Sequence, residues 1–252
     1  MTPESDAHTE QPSLEGKKAI ITGGTTGIGR AIAVLLASYG VDVFVCGRDP
    51  QHLEDALQRI GEVGRGDGIA IDLAEPDNVR RFFDAGLAYL GGLDIAVINA
   101  AVPAQGITTM DEGALRYAIA TDFTAYLLSA KAAADALRDH GNIVFIGSMS
   151  AYMLGAGSSV YAGMKYGIQG FSEALRKELG PKGIQVCNVE PGKTGADFQY
   201  ESFTAQEQAD AINREEMLRA EDIAVATHFV LTQPRRAVVQ QVTVAPRGQP
   251  EE

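Results

Sequence analysis

Seven short apolar runs punctuate this chain, at residues 19–22, 41–46, 69–71, 95–98, 143–146, 185–189 and 238–244. They are rich in β-forming residues and mostly lack polar alternation, the pattern of strands covered on both faces. Stretches of helical periodicity lie between them, near 29–39, 51–60, 76–90, 112–138, 160–179 and 221–231. Strand–helix alternation of this kind predicts an α/β fold, a doubly wound parallel sheet of about seven strands with helices on both faces.

The alternation runs on without an internal repeat or a mid-chain linker, so one domain is expected over 14–246. Residues 1–13 are polar, carry Glu4, Asp6 and Glu10, and read as a disordered acidic tail; residues 247–252 read as a polar C-terminal tail. The segment 193–216 breaks the rhythm. It is polar, carries Phe198, Tyr200 and Phe203, and follows the sixth strand. Loops at the carboxyl ends of such strands form the ligand crevice. This one is short for a lid, which favours a small or slender substrate.

Composition removes several function classes. The formal net charge is −12, which opposes nucleic acid, whose affinity comes largely from cationic contacts to phosphate. No apolar run is long enough to cross a membrane, and the N-terminus has no apolar core of the secretory type. A cytoplasmic location is the expectation. Cys46 and Cys187 both sit in apolar runs and make neither a disulfide framework nor a zinc pattern, so buried inert thiols are expected. The four histidines show no metal-ligand spacing, and no metal is expected.

Three motifs carry chemistry. Thr22-Gly23-Gly24-Thr25-Thr26-Gly27-Ile28-Gly29 follows the first strand and opens the first helix. A pyrophosphate needs bare backbone and a helix N-terminus, and a glycine turn at this place supplies both. At the end of the second strand, Gly47 leaves room and Arg48 supplies a cation where an acid would otherwise bind the adenosine ribose; a cation there accommodates a 2′-phosphate. Asp49 reads as the N-cap of a helix opened by Pro50. In Tyr161-Ala162-Gly163-Met164-Lys165, positions i and i+4 share a helix face, so the phenol and ammonium lie together. A close cation favours the phenolate and moves the group toward a useful acid/base range. Ser148 follows the fifth strand at a carboxyl edge.

Taken in this order, the motifs resemble those of the short-chain dehydrogenases/reductases, in their compact single-domain branch with a Rossmann-type fold. The resemblance runs from Leu14 to Val244. Gly23, Gly27 and Gly29 match the glycine motif, with Thr25, Thr26 and Ile28 in the same cofactor-binding turn. Asp72 matches the residue that contacts the adenine. Asn99-Ala100-Ala101 resembles the family's Asn-Asn-Ala-Gly segment, preceded by Ile98 and ending in Ala. Ser148, Tyr161 and Lys165 match the catalytic residues, Pro191-Gly192 matches the turn beside the nicotinamide, and Thr194 is a candidate contact to the carboxamide. One departure stands out. The family's helical catalytic Asn falls here on Asp122, whose charge would raise the pKa of Tyr161.

The resemblance implies an oxidoreductase that interconverts a carbonyl and a secondary alcohol on a small substrate. NADP(H) is the expected cofactor, with NAD(H) the alternative. Two other classes stay open, a catalytically silent dinucleotide sensor or scaffold and a sugar-nucleotide epimerase or dehydratase. The second is disfavoured by the absence of room for a C-terminal substrate region. A homotetramer or homodimer is expected, because Ala118, Ala125, Ala132, Gly163, Gly167 and Gly170 place small residues on the two helices through which family members pair.

Overall fold

The structure is a computed structural model and describes residues 11–195 and 203–248, with Arg138 and Asp139 described by backbone alone. Seven strands form one parallel sheet: β1 (Lys18–Ile21), β2 (Asp42–Gly47), β3 (Arg65–Ala70), β4 (Leu93–Ile98), β5 (Leu137–Ile146), β6 (Gln185–Pro191) and β7 (Gln241–Val244). Their spatial order is β3-β2-β1-β4-β5-β6-β7. The chain winds outward from β1 to β3 on one side, then returns to lay β4 against β1 on the other. Ala19 stands opposite Val43 and Ile95 in the two neighbouring strands. A crevice at the carboxyl ends of β1 and β4 follows from that reversal.

Strands β1, β2, β4 and β5 read as continuous apolar runs because both faces are covered, whereas the edge strands β3 and β7 alternate with exposed positions. On one face, Ile20, Phe44, Ala96, Ile98, Ile143 and Phe145 pack under α3 (Asn78–Leu90), α5 (Ala125–Ala136) and α6 (Ser159–Leu179). On the other, Ala19, Ile21, Val43, Val45, Ile95, Val97 and Val144 meet α1 (Gly27–Ser38), α2 (Pro50–Gly61) and α8 (Ala220–Leu231). Successive residues therefore alternate between two dry interfaces rather than between core and water. Strand β6 is buried too but carries polar groups inside, Asn188 and Glu190. Its fully buried Glu190 accepts hydrogen bonds from Asn188 Nδ2 at 2.8 Å and from Gln241 Nε2 at 2.5 Å, which ties β6 to the edge strand β7.

Several expected boundaries move. The stretch 112–138 is not one helix. It is α4 (Glu112–Ile119), a π turn over Ala120–Thr124, and α5, after which β5 begins at Leu137. The segment 193–216 is not all loop, since α7 (Ala205–Asn213) starts at a capping box between Thr204 and Glu207. Phe198 and Tyr200 lie outside the described residues, as do residues 1–10 and 249–252. Arg247 pairs with Glu215, and the Gly248 amide donates to the Glu215 carbonyl at 2.8 Å. Asp49 does cap α2, accepting from the amides of Gln51 and His52. Cys46 and Cys187 are buried in β2 and β6, and burial pushes both thiols up to about 12. Among the described residues, no helix is long and apolar enough to cross a membrane, and no cluster of metal-ligating side chains occurs.

Candidate active site

The loops that leave the carboxyl ends of the strands enclose a cavity of about 530 Å³. Gly23, Thr25, Thr26, Ile28, Arg48, Asp72, Asn99, Ala100, Ser148, Tyr161, Lys165, Pro191, Gly192 and Thr194 line it; Gly27, Gly29 and Asp122 do not. Sequence elements as far apart as Gly23 and Thr194 thus meet in one crevice.

The glycine turn is a cradle with no room for side chains. Gly23 has φ +64°, and a Cβ there would sit 2.7 Å from Ala100 Cα. At Gly29 a Cβ would lie 2.1 Å from the Gly23 carbonyl oxygen. Asn99 locks the turn to β4: its side-chain amide donates to the carbonyls of Thr22 and Gly23 at 3.1 Å, and Thr22 Oγ1 accepts from its backbone amide at 2.8 Å. Thr26 occupies the N-cap position of α1 without making a side-chain capping bond, an arrangement suited to an anionic ligand at a helix start. At Gly47 a Cβ would approach Thr25 Oγ1 to 2.0 Å. The bare position at the end of β2 is therefore imposed by the buried Thr25. These contacts fit the backbone-lined groove that a dinucleotide requires.

The adenosine end of this groove holds a residue that sequence reasoning missed. Arg48 Nη1 donates to the Tyr117 hydroxyl at 2.7 Å, and that hydroxyl donates to Asp72 Oδ2 at 2.7 Å. Asp72 Oδ1 accepts from the Ala74 amide at 3.0 Å. Burial raises the pKa of Tyr117, helped by its bond to Asp72 and opposed by Arg48.

At the other end, α6 brings Tyr161 and Lys165 together. The ammonium of Lys165 lies 5.6 Å from the Tyr161 ring centroid. It donates to the Tyr126 hydroxyl at 3.1 Å and the Ile146 carbonyl at 3.0 Å. Tyr126 is the second residue missed from sequence; its own hydroxyl donates to the same carbonyl at 3.1 Å. Burial lowers the Lys165 pKa to about 8, against an opposing pull from Asp122. Ser148 sits where β5 gives way to a short turn, its hydroxyl accepting from the Ser150 amide at 3.1 Å. The loop after β4 is fastened to the start of α6 by bonds from the Ile107 amide to Ser159 Oγ and from the Val160 amide to the Gln105 carbonyl. A Cβ at Gly106 would meet Gly157 Cα at 2.9 Å, so these two segments are in backbone contact beside Tyr161.

Asp122 lies in the π turn, fully buried. Its Oδ1 accepts from the Val102 amide at 2.8 Å, and Oδ2 has no partner among the described residues. Burial raises its pKa to about 6, opposed by Lys165. On the nicotinamide side, the Gly192 amide donates to the Val244 carbonyl at 2.7 Å and Thr194 Oγ1 to the Gly192 carbonyl at 3.0 Å, so Thr194 is turned inward onto its own loop.

Comparison with known proteins resolves the family. A family model for short chain dehydrogenases matches residues 17–207. This chain belongs to the short-chain dehydrogenase family. A 3-oxoacyl-[acyl-carrier-protein] reductase of Vibrio cholerae is 30% identical over 189 residues, 74% of this chain and 77% of that protein. A chloroplastic NADPH-dependent aldehyde reductase of Arabidopsis thaliana is 30% identical over 242 residues, 91% and 84% of the two chains. A short-chain dehydrogenase of Burkholderia cenocepacia, solved in complex with NADP, superposes with TM-score 0.83 at 31% identity, covering 93% of this chain and 98% of that one. The chain is a dehydrogenase/reductase with the Rossmann-type fold its alternation predicts.

Proposed function

We propose that this short-chain dehydrogenase uses NADP(H) to interconvert a carbonyl and a secondary alcohol on a small organic substrate. The observation that carries the reading is one cavity shared by the glycine cradle, Arg48, Ser148, Tyr161 and Lys165. The Arabidopsis relative is named for NADPH dependence and the Burkholderia neighbour holds NADP, which supports the same cofactor here. When bound, the nicotinamide supplies or accepts the hydride, and the protein supplies position and electrostatics.

In the reductive direction Ser148 holds the carbonyl oxygen, and Tyr161 delivers a proton to that oxygen as the carbon becomes an alcohol carbon. Lys165 stabilises the tyrosinate left behind. Its own charge is held by Tyr126 and the Ile146 carbonyl. In the oxidative direction the tyrosinate removes the hydroxyl proton. Asp122 holds the Val102 amide and so fixes the segment that follows Asn99 and Ala100. Turnover of a panel of small ketones, aldehydes and secondary alcohols, with NADPH/NADP and NADH/NAD in parallel, tests this reading. Absence of turnover with every pair would overturn it.

We also infer a cytoplasmic, homo-oligomeric protein. Two buried unpaired thiols suit a reducing compartment. Leu128 on α5 and Tyr166 on α6 are exposed, and at Gly163 and Gly170 of α6 an added Cβ meets only open space, which supports close pairing with a second copy. Ala118 and Ala125 belong instead to the packing within one subunit, since both are buried. A monomeric mass by light scattering at micromolar concentration would rule out the assembly.

A further inference from the structure

Arg48 has an unusual partner for an exposed cation in an acidic protein. Among the described residues no carboxylate lies within ion-pair distance of it, although Asp72 stands one phenol away. Tyr117 fills that gap. Its hydroxyl accepts from Arg48 at 2.7 Å and donates to Asp72 at 2.7 Å, while its ring lies 5.8 Å from the guanidinium carbon. The ring is itself anchored. It packs against a small core of Val102, Ala118 and Met164 between α4, α6 and the loop after β4. Tyr117 is thus an anchored post that holds the Arg48 cation.

Two consequences follow from the chemistry of the three groups. A guanidinium has five donors, and one hydrogen bond through Nη1 leaves most of its fork for another acceptor. A direct Arg48–Asp72 pair would neutralise the charge; a neutral phenol between them transmits a hydrogen bond without doing so. Arg48 faces the cofactor cavity with its charge intact, and Asp72 is engaged by the phenol on one oxygen and the Ala74 amide on the other.

We propose that Tyr117 is a positioning residue for cofactor specificity: it holds Arg48 beside the adenosine pocket and keeps it from collapsing onto Asp72, so that the guanidinium is free to bind the 2′-phosphate of NADP(H). The proposal rests on the NADP(H) reading given above. Tyr117→Phe keeps the ring and its packing and removes only the hydroxyl. Without it Arg48 swings into solvent or pairs with Asp72, and either outcome weakens a phosphate contact.

The test is direct binding of two fragments by calorimetry, without substrate or turnover. Adenosine 2′,5′-bisphosphate carries the 2′-phosphate and adenosine 5′-monophosphate lacks it. In wild type the bisphosphate binds more tightly, and that advantage shrinks as salt is raised. Tyr117→Phe is expected to weaken bisphosphate binding by roughly five- to tenfold, the worth of one positioned hydrogen bond, while monophosphate affinity changes less than about twofold. In an Arg48→Ala background the same substitution is expected to add nothing, because the residue it positions is gone. Equal loss for both fragments would overturn the proposal, as would no loss for either. Equal binding of both fragments by wild type is a different failure, one that removes the NADP(H) reading itself. Circular dichroism and the thermal unfolding midpoint establish that the variant is folded before binding is compared.

Discussion

The backbone amide of Val102 donates to the carboxyl of Asp122 at 2.8 Å, and the second oxygen of that carboxyl is buried without a partner among the described residues. Holding a charge there is costly, which is why burial raises the Asp122 pKa from 3.8 to about 6. Between those two pH values the folded protein keeps a proton that the unfolded chain has released. Stability from this group therefore falls as pH rises through that window and is fully lost above about 6. The Asp122→Asn variant has nothing to titrate. Its stability relative to wild type is expected to improve across the window, by up to about 3 kcal/mol. Urea unfolding of both proteins below and above the window measures this, and a constant difference would refute it.

The same substitution changes the chemistry. Above about pH 6 the ionised Asp122 supports the cationic form of Lys165, and a negative charge near Tyr161 is expected to oppose its tyrosinate. Removing the charge is expected to shift the kcat profile of alcohol oxidation to lower pH, on both the tyrosine and the lysine limbs. Profiles recorded at saturating cofactor decide it. An unmoved profile would reduce Asp122 to its bond with Val102.

Tyr161→Phe keeps the ring and removes the transferable proton. The loss is expected in kcat, by about 10² or more, with cofactor affinity nearly unchanged. Lys165→Met should lose turnover too, yet unfold at the same temperature as wild type or higher. The buried ammonium costs desolvation, and Tyr126 retains its bond to the Ile146 carbonyl when the lysine is gone. Steady-state kinetics paired with thermal melts separate the two roles. Full activity in Tyr161→Phe would end the mechanism.

Arg48→Ala is expected to cut the preference for NADP(H) over NAD(H) by tenfold or more, because one charge-assisted contact to phosphate is worth about 1.5–3 kcal/mol. The ratio of kcat/KM for the two cofactors reports it. The effect should fall on NADP(H) alone, since NAD(H) offers no phosphate at that place.

The sheet and the main site groups were legible in the sequence for a physical reason. Two-sided burial writes continuous apolar runs into β1, β2, β4 and β5, and the glycine turn and the Tyr161–Lys165 spacing are local. Other features leave weaker marks. One extra residue per turn at Ala120–Thr124 hardly disturbs helical periodicity, so the π turn is invisible until the backbone is built. Helix α7 carried a usable signal, a Thr204-to-Glu207 capping box, inside a stretch whose polarity suggested loop. Tyr117 carried none. Its partners are 69 and 45 residues away, at the ends of two other strands, and only the topology brings them to it. Tyr126 meets Lys165 across 39 residues for the same reason.

The contact between Thr25 and Gly47 bears on how cofactor use can change along a lineage of such proteins. An acid at position 47 is what a ribose-binding, NAD(H)-using descendant would require. Its Cβ alone would enter the space of Thr25. A lone replacement at 47 would thus displace the glycine turn before it gained a ribose contact, damaging use of both cofactors. The path to NAD(H) passes through position 25 first, where a smaller side chain opens the space, although Thr25 itself lines the cofactor cavity and its loss bears on NADP(H) as well. The clash sets an order on those two substitutions, position 25 before position 47.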